Sequence, residues 1–204
     1  MGRTSDARDK ILSSARALIE VRGYSALGVA EICTAAGVPK GSFYYFFESK
    51  EALALAVIDE QWARQRQDWA SVLSSQAGPL ERLWALFEAT QASLAAGQQG
   101  CGTVSGCMFG NLTLEMSNQT EAVRQRLQEI FAEQVAMVAA VVAEAVARGQ
   151  ATVADAREAA RSIVAQLEGQ VLFAKLYNST QPLGTLRANC AALLAATPAA
   201  ASEG

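Results

Sequence analysis

The side chains best suited to covalent chemistry in this 204-residue chain are four cysteines, Cys33, Cys101, Cys107 and Cys190, and there is no histidine to activate them. Without an imidazole, Ser-His-Asp and Cys-His nucleophile systems, histidine acid–base catalysis and His-ligated zinc are all excluded. No two cysteines form a CxxC pair, so a structural zinc site is not expected either. The expectation is a protein that is not an enzyme and that holds no metal or cofactor. Cys107 stands apart by position. It follows Gly97, Gly100, Gly102 and Gly106 and opens a short helical segment, where the helix dipole favours thiolate over thiol. Against that stands the commoner fate of an unpaired cysteine, a small buried hydrophobe. Cys33 and Cys190 read as core, and Cys101 as either a resolving thiol or an inert surface one.

A second group of residues suits recognition rather than reaction. Residues 28–47, GVAEICTAAGVPKGSFYYFF, are laid out as a helix-turn-helix. A short helix lies across a nucleic-acid backbone, and a turn at Gly37 delivers the next helix to a major groove. Phe43 and Phe47 are four residues apart and can pack inward, which leaves Lys40, Ser42, Tyr44 and Tyr45 outward. Gly41 has no side chain to obstruct a phosphate. Outward tyrosines suit phosphate hydrogen bonds and thymine-methyl contacts.

The elements that position these residues read as helices throughout. Alanine dominates an apolar fraction of 51%, and prolines number only 4, a balance that favours helix. Ile11, Ala15, Leu18 and Ile19 define a first helix over about 5–22, stopped by Gly23. Val29, Ile32, Cys33 and Ala36 define a second, and residues 40–47 a third. Ser49 caps a long fourth helix, Gly78-Pro79 starts a fifth, and a short sixth spans about 107–116. Thr120 caps a seventh that reaches Arg148; an eighth runs over about 155–177 and a ninth over about 183–196. No strand pattern or internal repeat is visible.

Charge is unevenly spread. Residues 1–50 carry seven basic and five acidic side chains, +2, and the remaining 154 carry ten and fifteen, −5. A basic head on an acidic body suits an anionic partner at one end. The longest uninterrupted apolar run, Val135–Ala143, is far short of the roughly 18 residues of a spanning helix. MGRTSDARDK has no apolar segment behind its basic residues. A cytoplasmic protein with no membrane partner is expected.

In its helix-turn-helix the chain resembles the TetR family of bacterial transcriptional regulators. The likeness covers about residues 7–60 and is strongest in AAGVPKGSFYYFFESKEAL. The family's recognition segment reads G-x-x-Y-x-H-F with a lysine shortly after, and Gly41, Tyr44, Phe47 and Lys50 match it. Phe46 stands where the family usually has histidine. The resemblance implies an all-α protein of about nine helices, with a helix-turn-helix DNA-binding domain over 1–50. A ligand-binding and dimerisation domain would follow over 51–198, then a frayed tail over 199–204. It implies operator contacts from Lys40, Gly41, Ser42, Tyr44 and Tyr45, and a phosphate contact from Lys50. The partners implied are double-stranded, palindromic operator DNA, a small-molecule effector and a second copy of the chain. Helices eight and nine would form the dimer seam, with Ala159, Ala160 and Gly169 allowing close approach.

The stretch GCMFGNLTLEMSNQTEAVRQRLQEIF resembles one branch of the family, regulators beside genes for reductases of reactive unsaturated compounds. That likeness implies a sensing role for Cys107 toward electrophiles or oxidants, with Lys175 as partner of the thiol. On its own, Lys175 in the apolar run VLFAKLY reads either as a paired buried charge or as one that snorkels outward. Trp62, Trp84, Phe87, Met108, Phe109, Met116, Phe173 and Tyr177 are candidates to line a ligand cavity, although aromatics at helical spacing are more often core. Two other readings stay open: a reversibly bound apolar or unsaturated-acid ligand with an inert Cys107, and, more remotely, a thiol enzyme or carrier.

Overall fold

A computed structural model of the chain describes residues 2–195, with side chains from residue 6. The tail over 199–204 lies outside the described residues. The order is α1 (Gly2–Arg22), α2 (Val29–Ala36), α3 (Lys40–Phe46), α4 (Lys50–Leu73), α5 (Pro79–Cys101), α6 (Met108–Met116), α7 (Glu121–Ala147), α8 (Ala156–Tyr177), a 3-10 turn (Gln181–Thr185) and α9 (Leu186–Ala195). Among the described residues there is no strand. All-α architecture is what the alanine-rich, proline-poor composition dictates.

Capping side chains set the starts of several helices. Ser49 Oγ accepts from the Ala52 N–H at 2.9 Å, Thr120 Oγ1 from Val123 at 3.2 Å, and Asp155 Oδ1 from Arg157 at 2.7 Å. Each satisfies a donor that the first turn leaves without a helical partner. α5 continues through Gly97 and Gly100 and ends at Gly102, which adopts φ 80° as its left-handed stop. Cys101 is therefore the last residue of a helix, not part of a loop. Glycine costs a helix only about 1 kcal/mol, which flanking turns outweigh.

The chain forms two compact units. The first comprises residues 1–65 and 108–130, and the second 66–107 and 131–204. The units do not follow the linear division at residue 50, because α6 and the start of α7 fall in the same unit as α1–α3. In the first unit Ile11, Ala15, Ile19, Ile32, Phe43, Phe47 and Ile58 are buried. Arg22 pairs with Glu31, and Arg126 of α7 with Asp59 of α4 at 2.6 Å.

The second unit has its own core of Trp69, Leu83, Phe87, Val142, Ile163, Leu167 and Leu186. Buried Arg82 braces it. Its Nη1 donates to the Leu73 carbonyl at the end of α4 at 2.8 Å, and its Nη2 pairs with Glu144 of α7. Ala159 and Ala160 belong to this core, and Ala160 is completely buried. They are thus not at an outer seam as expected: they share the inner stripe of α8 with Ile163, Val164, Leu167, Val171 and Ala174.

α7 also departs from the sequence reading. Over an 18-residue window its mean hydropathy is 1.8, so by length and composition it could cross a membrane, although its longest unbroken apolar run is short. Its buried positions Val138, Val141, Val142 and Ala145 recur at helical spacing, the pattern of a core helix.

Candidate nucleic-acid interface and thiol site

The recognition segment begins at a tight turn. Gly37 ends α2 at φ 65°, a left-handed conformation costly for a side chain with Cβ. Its N–H reaches the Thr34 carbonyl at 3.1 Å and the Val38 N–H reaches Cys33 at 3.0 Å, closing α2 as a Schellman motif. Pro39 then precedes α3. Phe43 and Phe47 are buried with ring centroids 5.7 Å apart, as the spacing predicts. On that platform Tyr44 and Tyr45 stand 58% and 74% exposed. Lys40 and Gly41 are exposed and Ser42 half-buried. Phe46 is half-buried, edge-on to Tyr45 at 4.9 Å.

Lys50 is held rather than free. Its Nζ lies 4.0 Å from the centroid of the Tyr24 ring, a cation–π contact. Partial burial lowers its pKa, and the nearby Glu115 carboxylate opposes that shift. Glu115, on α6, accepts from the backbone N–H groups of Tyr24 at 2.9 Å and Ser25 at 2.6 Å. Burial works to raise the Glu115 pKa, but the Ser25 and Tyr24 hydrogen bonds and Lys50 outweigh it and hold the carboxyl below its ordinary value. No sequence pattern signals this residue, which stands about 90 positions from its partners.

Cys107 immediately precedes α6, half-buried against the second unit's core. Its thiol hydrogen-bonds to the half-buried carboxyl of Glu168. Burial raises the Glu168 pKa, and the thiol's hydrogen bond partly offsets this. Sequence reasoning missed Glu168. Lys175 is exposed, seven residues along the same helix. Cys101 is exposed, its Sγ 3.1 Å from the Gly97 carbonyl, while Cys33 and Cys190 are buried as expected. Burial drives the Cys190 thiol to about 11. Among the described residues no cluster of three metal-ligating side chains occurs.

Against known proteins, residues 11–57 match the model of bacterial regulatory proteins, tetR family. Residues 79–190, more than half of the chain, match that of the tetracyclin repressor-like C-terminal domain. The chain belongs to the TetR family. It is 32% identical to the HTH-type transcriptional repressor NemR of Escherichia coli over 127 residues, 61% of this chain, and spans only 61% of that relative's length. It is also 32% identical to the HTH-type transcriptional repressor DhaR of a Mycobacterium species over 189 residues, 90% of this chain and 89% of that one. The crystal structure of the reduced form of E. coli NemR matches with a TM-score of 0.82 at 28% identity, covering 96% of this chain and 100% of that one.

In this TetR family chain the apolar residues expected to line a cavity divide. Trp62, Met108, Phe109 and Met116 are buried in the first unit, with the Trp62 and Phe109 rings 6.0 Å apart. Trp84 and Phe87 are buried in the second. Phe173 and Tyr177 line no interior space: they are exposed on the outer side of α8, stacked at 5.8 Å. They fall opposite the core stripe of that helix. With Leu172 and Leu176, also exposed, they make an apolar outer face.

Gln134 of α7 is a buried polar residue that the sequence does not flag. It is 1% exposed, and neither oxygen nor nitrogen of its amide has a hydrogen-bond partner. Burying an unsatisfied amide costs about 1–3 kcal/mol. Gln134→Met, close in shape, is therefore expected to raise stability by up to about that amount, read as a higher denaturation midpoint at unchanged slope. A lowered midpoint would show that the amide is satisfied in solution.

Proposed function

We propose that this chain is a cytoplasmic transcriptional repressor that binds a palindromic operator as a homodimer and releases it when a small-molecule effector acts on its C-terminal half. The observation that carries the DNA-binding part is the pair of exposed tyrosines on α3, mounted on buried Phe43 and Phe47. Lys40, Gly41 and Ser42 add backbone-facing groups at the start of the same helix, and Lys50 remains a candidate phosphate contact. The proposed seam is the outer face of α8, with α9 beside it.

For the effector, Cys107 is the candidate sensor. It sits where the chain passes from the second unit into the first, between Cys107 and Met108. That the NemR structure is described as a reduced form supports a thiol-dependent response in this branch. With an unsaturated aldehyde, the sulfur would bond to the β-carbon and the C=C pair would move to the carbonyl oxygen as an enolate. The thiol proton, accepted by Glu168, would return to that enolate, with no leaving group and no net redox change. A bulky adduct against a packed core displaces its neighbours.

A second reading is favoured by the same contact. A carboxylate facing Cys107 disfavours a standing thiolate by like-charge repulsion, which suits a reversibly bound apolar or unsaturated acid and an inert thiol. A gel shift on upstream intergenic DNA, titrated with a quinone or an unsaturated aldehyde, separates the two. Wild type is expected to release DNA while Cys107→Ser stays bound. Equal release by both proteins rules out the thiol switch and leaves the reversible ligand.

A further inference from the structure

α6 falls within the residues matched by the C-terminal domain model, yet it packs in the same unit as the helix-turn-helix. The contact that joins them is specific. α1 ends at Gly23, φ 77°, whose N–H closes on the Ile19 carbonyl at 2.9 Å. The next two backbone N–H groups, of Tyr24 and Ser25, lie in the corner between α1 and α2. Each donates to a different oxygen of Glu115, at 2.9 and 2.6 Å. The fit is close: a Cβ at position 23 would stand 3.1 and 3.2 Å from the two carboxylate oxygens. Lys50, the first residue of α4, faces the same spot across the Tyr24 ring. One carboxylate thus ties α6 to the corner from which α2 and α3 extend, and bears on the first residue of α4.

We infer that Glu115 is a positioning residue for operator recognition: by holding the Tyr24–Ser25 corner and the Lys50 ammonium, it sets the aim of α2 and α3. Reading base edges demands that aim, whereas phosphate attraction tolerates its loss. A carboxylate near a DNA-binding head also repels phosphate, so removing it does not weaken non-specific binding. Specific and non-specific affinity should therefore separate. The inference rests on the DNA-binding reading and not on the effector, so its test contains no effector.

The test uses the full-length protein, with fluorescence anisotropy on an upstream intergenic duplex and on a random duplex of equal length, beside thermal melting. Glu115→Ala is expected to lower the ratio of specific to non-specific affinity by on the order of tenfold while still melting cooperatively. Glu115→Gln, which keeps one acceptor oxygen, should fall between, and it carries the test if the alanine variant does not fold. Glu121→Ala on α7, which removes exposed contacts with Arg124 and Gln125 remote from the α1–α2 corner, should match wild type. Amide exchange gives a local reading: Tyr24 and Ser25 should exchange faster in the variants, while Val38, bonded to Cys33, should not. A wild type without operator preference overturns the DNA-binding reading, and the inference with it. A wild type with that preference, beside folded Glu115 variants of unchanged ratio, overturns the inference alone.

Discussion

Replacing Tyr44 and Tyr45 together by alanine is expected to abolish most specific operator binding, by on the order of 1–3 kcal/mol for each side chain, while the protein stays folded. The fold does not depend on either ring. They are 58% and 74% exposed, and truncating exposed side chains away from caps and networks usually changes stability by less than about 0.5 kcal/mol. What they offer is outward reach. Phe43 and Phe47 anchor α3 from beneath, and the hydroxyls and ring edges of the two tyrosines stand where base edges and phosphates would lie. Tyr44→Phe and Tyr45→Phe refine the assignment, since a contact made through the hydroxyl is lost in phenylalanine and a methyl contact through the ring is kept. The deciding measurement is titration of an operator duplex with the double alanine variant, its folding checked by circular dichroism. Normal affinity in a folded double variant would sink the recognition-helix assignment.

That this segment is legible in the sequence has a local cause. Gly37, Pro39 and the Phe43/Phe47 spacing are short-range signals, and each acts within one turn of the residue that carries it. The helix starts at Ser49, Thr120 and Asp155 are legible for the same reason. The partners that matter in the candidate site are not, because they meet across long stretches of chain. Glu115 reaches Tyr24 and Ser25 from 91 and 90 residues away, and Glu168 lies far beyond the Cys107 it faces. In sequence both are ordinary acidic residues on helices. Gln134 falls on the core stripe of α7, four residues from both Ile130 and Val138, but no local signal shows what its amide meets there.

α8 departs from its sequence reading for a different reason. Its last two turns, from Val171 to Tyr177, are apolar all round apart from Lys175, so periodicity there does not say which face turns inward. Residue size points the wrong way: Ala159 and Ala160 suit close approach between two copies, and the large residues near Phe173 suit a core. The structure reverses this, with alanines inside and Leu172, Phe173, Leu176 and Tyr177 outside.

That reversal relocates the test of assembly. Leu176→Glu is expected to convert the proposed dimer to monomer and to remove high-affinity operator binding. Leu176 is 68% exposed in the single chain, so a carboxylate there costs the isolated fold little. Covered by a partner's α8 it would be a buried, unpaired charge, a change worth about 3–5 kcal/mol at a well-packed site, and two-fold symmetry places it on both sides of the seam. The operator consequence follows from geometry, because two recognition helices must reach successive major grooves about 34–36 Å apart, which a single head cannot do. Ala160→Glu provides the contrast, since Ala160 is completely buried in the chain's own core and its substitution should unfold the second unit rather than separate folded chains. Light scattering and circular dichroism on both variants distinguish the cases: a folded monomer for Leu176→Glu, a poorly folded chain for Ala160→Glu. A wild type that is monomeric, or a Leu176→Glu protein that remains a dimer with normal operator affinity, would place the seam off this face of α8.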